Sequence, residues 1–225
     1  MIDSTGKKKV LQSMRLYALV TEDYCRKEWQ ETVRLLMCGG VDVFQLREKN
    51  QPDNELLRRA RWVRGLTREH GKLCIINDRP DIAVISGADG VHLGQDDLPV
   101  GDVRGYVGAD LIVGCSTHSV EQAVVAEREG ADYIGVGPVF ATETKGYREG
   151  AGEGLVRDVV ARVAVPVVAI GGIDPASAGN LMQAGAQAVA VCSRLCGAKN
   201  PEKAAAEFIR RMQEVDDVQG HAGRA

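Results

Sequence analysis

The chain has 225 residues, a formal net charge of −3 and 26 glycines; aromatic residues make up 4% and charged residues 26%. Glycine exceeds its usual share of ~7%, but it is scattered through apolar runs, which rules out collagen-like and disordered chains. The balance of 28 basic and 31 acidic residues gives no polyanion-binding signature over the whole molecule, so no nucleic-acid partner is expected.

Residues 1–14 carry Lys7-Lys8-Lys9 without the apolar stretch of a signal peptide, and they read as a tail. Eight short β-rich runs follow, at 15–20, 41–46, 73–77, 89–93, 111–115, 132–136, 166–170 and 188–192. Helical periodicity lies between them. Over 54–69, Leu56, Leu57, Ala60, Val63 and Leu66 recur at helical spacing. Over 119–129, Val120, Ala123, Val124 and Ala126 do so before Gly130, a helix-ending residue. Over 201–213, Pro201 opens a helix striped by Ala205, Phe208, Ile209 and Met212. Residues 214–225 read as a second tail, which leaves one domain over 15–213.

Strands alternating with helices imply parallel pairing. A recurring cassette suggests that the sheet closes on itself: Gly40-Val41-Asp42, Gly87-Ala88-Asp89, Gly130-Ala131-Asp132 and Gly185-Ala186-Gln187 each lead from a helix into an even-numbered strand. A repeat every two βα units suits a single-domain (β/α)8 TIM barrel, where alternate strands fill alternate core layers. An open doubly wound sheet is the competing architecture. The cysteines at 25, 38, 74, 115, 192 and 196 form no CxxC pair and no zinc spacing, so a reducing, cytoplasmic compartment is expected. No apolar window approaches the ~18 residues of a membrane span.

A barrel places its active site where strands end. After the second strand, Gln45, Arg47 and Lys49 share one side of an extended chain and suit a diphosphate; a solvated strand end is the alternative. After the third and fourth strands, Asp78 and the pair Asp96 and Asp97 suit one Mg²⁺, or else a helix cap and a polar turn. Ser116 follows the fifth strand as a phosphate donor, beside Cys115 and His118, for which no orienting acid is evident. Thr142, Thr144 and Lys145 lie in a long aperiodic stretch after the sixth strand, a substrate loop or an ordinary excursion. Gly171-Gly172 and Cys192-Ser193 follow the last two strands, where barrels recurrently bind phosphate. Two anionic sites on one mouth suggest two phosphorylated small-molecule substrates.

These motifs have a known counterpart. Gln45-Leu46-Arg47-Glu48-Lys49, Asn77-Asp78-Arg79, His92-Leu93-Gly94-Gln95-Asp96-Asp97, Gly114-Cys115-Ser116-Thr117-His118, Thr142-Glu143-Thr144-Lys145 and Gly171-Gly172-Ile173 resemble, in order, those of the thiamine-phosphate synthase (thiamine-phosphate pyrophosphorylase) family over about residues 15–213. The resemblance implies a TIM-barrel transferase that joins 4-amino-2-methyl-5-(diphosphooxymethyl)pyrimidine to a thiazole phosphate, releasing pyrophosphate. It implies that Gln45, Leu46, Arg47, Glu48, Lys49, Asn77, Ser116 and Lys145 surround the pyrimidine diphosphate, with Arg47, Lys49, Ser116 and Lys145 as the catalytic set. Asp78 and Asp97 would hold one Mg²⁺ per subunit, and Thr142, Glu143, Thr144, Gly172, Cys192 and Ser193 the thiazole phosphate. Cys192 departs from the aliphatic residue usual there. No kinase domain adjoins, which implies a monofunctional enzyme. The rival is a related thiazole tautomerase, with His118 moving a proton and no metal.

Overall fold

Eight parallel strands close into a ring in chain order: β1 (Leu16–Val20), β2 (Val43–Leu46), β3 (Leu73–Asn77), β4 (Gly90–Leu93), β5 (Ile112–Thr117), β6 (Tyr133–Val136), β7 (Val167–Ile170) and β8 (Ala188–Val191). The computed structural model describes residues 4–141 and 150–222. Each strand falls on its predicted run. β5 extends further than 111–115 because Ser116 and Thr117 remain paired with Gly135 and Val136 of β6. Closure is by β1 on β8, with Tyr17 opposite Ala190.

The helices are α1 (Ser4–Ser13), α2 (Trp29–Cys38), α3 (Asp53–Glu69), α4 (Pro80–Ser86), α5 (Val100–Val107), α6 (Val120–Arg128), α7 (Gly152–Val160), α8 (Pro175–Gln183), α9 (Ser193–Cys196) and α10 (Pro201–Ala222). The core has two parts. One is a shell between strands and helices, including Phe44, Leu46, Ile76, Phe208 and Met212. The other fills the ring and includes Tyr17, Val43, Ile75, Ile112, Tyr133 and Val168.

Both expected tails are helical. α1 brings Leu11 and Met14 into the interior cluster, and Lys7 reaches to 3.6 Å from Asp89. The run of lysines hides this apolar pair in the sequence. At the other end α10 runs on past 213, because Val215 adds a further contact, against Gly179 of α8.

The cassette has a physical purpose. Its glycines all take left-handed φ values, from 70° at Gly87 to 101° at Gly130. Its acids then tie each even strand to the odd strand before it. Asp42 accepts the backbone N–H of Arg15 at 2.9 Å, Asp89 that of Cys74 at 2.9 Å, and Asp132 that of Val113 at 2.8 Å. Lys72, Arg64 and Arg104 respectively neutralise these three carboxylates. In the fourth copy the Gln187 amide donates to the Met14 carbonyl at 3.3 Å.

Candidate active site

Strand alternation decides which side chains reach the mouth of the ring. On β2, Gln45 points inward and is 2% exposed, and Arg47 beyond it lines the mouth cavity. Leu46 packs in the outer shell. Glu48 turns outward too, and the structure does not bring Leu46 or Glu48 together with the other diphosphate candidates. Instead Glu48 accepts the Glu22 backbone N–H at 2.9 Å and meets Arg59 at 3.2 Å. Arg59 is itself buried, pairs with Glu22 and Glu55 at 2.7 Å each, and stacks over Trp29. This cluster braces the end of β2. Burial pushes the Glu48 carboxyl above its ordinary value.

Lys49 Nζ stands 3.3 Å from Asp78 Oδ2. Asp78 itself holds φ at 61°, a conformation that Asp tolerates better than most residues. Burial pushes its carboxyl above the ordinary value; the neighbouring Asp97 carboxyl raises it further, and Lys49 opposes both. Asp97 is oriented by the Gly94 backbone N–H at 2.7 Å. Two hard oxygen donors crowded together at adjacent strand ends fit Mg²⁺, which takes one or two carboxylates and completes its shell with water and phosphate oxygens. Among the described residues no cluster of three or more His, Cys, Asp or Glu side chains is arranged for a metal.

Across the mouth, one cavity is lined by Arg47, Ser116, His118, Gly171, Gly172 and Ser193, among others. A second, deeper one shares Arg47 and Ser116 and adds Gln45, Asn77 and Tyr133. The two adjoin as one basin, in which Gly171 and Gly172 border the first cavity with Arg47. Gly172 has φ +63°, and a Cβ there would lie 2.4 Å from the Ala141 carbonyl oxygen. Cys192 lines the same side, and burial pushes its thiol up to about 12. Thr142, Glu143, Thr144 and Lys145 lie outside the described residues. His118 is tied by its ring Nδ1 to the Gly137 carbonyl, and its backbone N–H donates to Gln122 at 2.7 Å.

The floor of the basin is polar, which the motif reading missed. Gln45 Nε2 donates to the Tyr17 hydroxyl at 2.7 Å, which lies 2.9 Å from the Tyr133 hydroxyl. His92 bridges Tyr133, at 2.8 Å from Nδ1, to Ser116 Oγ, at 2.8 Å from Nε2. Gly114 makes the room: a Cβ on it would fall 2.1 Å from the Tyr133 ring. Two tyrosines at inward positions of strands, in a chain with 4% aromatics, were the available signal.

A sequence profile described as thiamine monophosphate synthase matches residues 16–195. The chain belongs to this family. The thiamine-phosphate synthase of Shouchella clausii is 38% identical over 207 residues, covering 91% of this chain and 99% of its own. That of Methanoculleus marisnigri is 43% identical over 197 residues, covering 87% and 93%. A solved thiamine phosphate pyrophosphorylase from Pyrococcus furiosus superposes with a TM-score of 0.84 at 37% identity, covering 92% of this chain and 98% of that one. A 3-hexulose-6-phosphate synthase, at 17% identity and TM-score 0.66, shares the fold alone. The tautomerase alternative finds no support in these relatives.

Proposed function

We infer that this protein is a thiamine-phosphate synthase: it transfers the pyrimidinylmethyl group of 4-amino-2-methyl-5-(diphosphooxymethyl)pyrimidine to the nitrogen of a thiazole phosphate. One observation carries the reading beyond family membership. Arg47 lines one basin with Gly171, Gly172 and Ser193, and Lys49, Asp78 and Asp97 cluster at neighbouring strand ends, next in chain to Arg47 and to the basin-lining Asn77. Such a basin accommodates a diphosphate and a monophosphate at once.

A diphosphate leaves readily only when its charge is neutralised. Arg47 and Lys49 supply fixed positive charge where negative charge develops, and Lys145 joins them by the family pattern. Asp78 and Asp97 would hold Mg²⁺, which supplies Lewis-acid neutralisation of the same oxygens when bound. The C–O bond to the diphosphate breaks with its electron pair. The aminopyrimidine stabilises the methylene cation left behind, and the thiazole nitrogen closes the C–N bond. A carboxylated thiazole loses CO₂ in addition. The chain needs no nucleophile of its own. Thr142, Glu143, Thr144, Gly172, Cys192 and Ser193 hold the thiazole phosphate, partly through backbone N–H groups.

The test is direct. Purified protein with both substrates and Mg²⁺ is expected to release thiamine phosphate and pyrophosphate in equal amounts. No product, beside an active control enzyme, overturns the reading.

A further inference from the structure

The hydrogen-bonded chain under the basin has a direction. Gln45, Tyr17, Tyr133, His92 and Ser116 are each within hydrogen-bond distance of the next, from 2.7 to 2.9 Å. All five are buried. Each hydroxyl has one proton and a neutral imidazole has one, so fixing one donor fixes them all.

The direction starts at Gln45. Its amide Nε2 donates to Tyr17. Tyr17 then donates to Tyr133, and Tyr133 to His92 Nδ1. That leaves the imidazole proton on Nε2, where it is donated to Ser116 Oγ. The Ser116 proton is thereby released toward the basin, whose wall Ser116 forms. Burial holds Tyr133 well above its ordinary titration range, so it stays a phenol able to donate. An imidazolium would place a second donor on Tyr133 and leave the phenol proton without an acceptor in the chain. At the far end Gln45 Oε1 is buried with no partner among the described residues, and Gln45 lines the deeper part of the basin.

We propose that Tyr17, Tyr133 and His92 are positioning residues that set the proton of Ser116 toward the substrate, so that Ser116 donates to an acceptor atom of the ligand while Gln45 Oε1 accepts from a ligand N–H. The two ends of the chain thus form a donor–acceptor pair in one basin. The ligand group they select carries an acceptor nitrogen beside an amino group, as an aminopyrimidine does. This assignment rests on the synthase reading above and deepens it. An unpaired buried acceptor costs ~1–3 kcal/mol, and the ligand N–H removes that cost.

The experiment has two arms. The first needs no substrate. The protein is labelled with ¹⁵N-histidine, and long-range ¹H–¹⁵N spectra report the ring tautomer, His92 being assigned by its absence in His92→Asn. The expected result is a neutral ring protonated at Nε2. A ring protonated at Nδ1 alone overturns the proposal, because the chain then runs from Ser116 toward Gln45; a doubly protonated ring overturns it as well, because His92 then donates to Tyr133 instead of accepting from it. The second arm is kinetic. Tyr133→Phe is expected to raise KM for the pyrimidine diphosphate about tenfold, the scale of one lost hydrogen bond, with kcat changed less. In a Ser116→Ala background the same substitution is expected to change KM less than twofold. An equal effect in both backgrounds marks Tyr133 as merely structural and overturns the proposal. A wild-type protein inactive with both substrates overturns the synthase reading instead, and the tautomer measurement stands apart from it.

Discussion

Gly172→Ala separates a strained backbone from a crowded site. Gly172 has φ +63°, and an L-residue held in the left-handed region loses ~1–2 kcal/mol. The new Cβ would also stand 2.4 Å from the Ala141 carbonyl oxygen and 2.9 Å from Phe140 Cβ. Ordinary contact begins near ~3.5 Å, so the two segments must part by about 1 Å, and overpacking of this kind costs a further ~1–3 kcal/mol. Gly87→Ala supplies the control. Its φ is +70°, and nothing lies within 4 Å of the added methyl. Urea unfolding is expected to show a loss of ~1–2 kcal/mol at Gly87 and at least ~1 kcal/mol more at Gly172. Steady-state kinetics are expected to show KM for the thiazole phosphate raised ~10-fold or more by Gly172→Ala, with KM for the pyrimidine diphosphate changed less than ~2-fold. Equal stability losses at the two glycines, with both KM values unchanged, would refute the reasoning.

Three other substitutions or treatments test the rest of the site. Asp78→Asn is expected to abolish Mg²⁺-dependent turnover while leaving the fold intact, since Asn also tolerates the left-handed φ; turnover against Mg²⁺ concentration checks it. The same variant has a pH signature. Burial and Asp97 hold the Asp78 carboxyl above its unfolded value, so its stabilising contribution is present below about pH 4 and is lost as pH rises through the folded value. Metal-free wild type is therefore expected to lose stability relative to Asp78→Asn as pH rises above about 4, read as urea midpoints. Arg59→Met removes the partner of the buried Glu48 and is expected to cost ~3–5 kcal/mol in urea unfolding, with Glu48→Gln in the same chain restoring part of it. Under iodoacetamide at about pH 8, Cys25 and the exposed Cys38 are expected to react first. Cys192, pushed up to about 12, and Cys115, pushed up to about 11, are expected to resist, as peptide mass spectra will show.

Much of the ring was legible because strand runs and cassettes repeat, and each strand of the ring begins or ends within a few residues of its predicted run. Gly40, Gly87, Gly130 and Gly185 carried the register, as their shared left-handed φ explains. The tails were misread for a local reason. Three lysines mask Leu11 and Met14, and α10 draws on Val215, whose partner Gly179 is distant in sequence. In the candidate site, alternation correctly set Gln45 inward, with Arg47 at the mouth. It equally implied that Leu46 and Glu48 face away, which a motif read as one block obscures. The polar floor was beyond reach, because Tyr17, His92 and Tyr133 meet only once β1, β4 and β6 curve around a common axis. Gly114 enters the sequence reading only as the first residue of a motif, yet its missing side chain is what admits the Tyr133 ring.

The carboxylate ties at the base of the ring carry an architectural consequence. Asp42, Asp89 and Asp132 each stitch an even strand to the strand just before it. The stitches therefore fall inside successive two-strand modules, whereas Gln187 reaches the Met14 carbonyl across the point of closure, and does so without a charge. A break at Gly108, between β4 and β5, would leave every carboxylate stitch whole within one half or the other. The Arg104–Asp132 bridge, the β4–β5 edge and the β1–β8 edge would span the cut. In this sense the barrel is a set of sewn panels, and its mouth exists only once the last panel is drawn against the first.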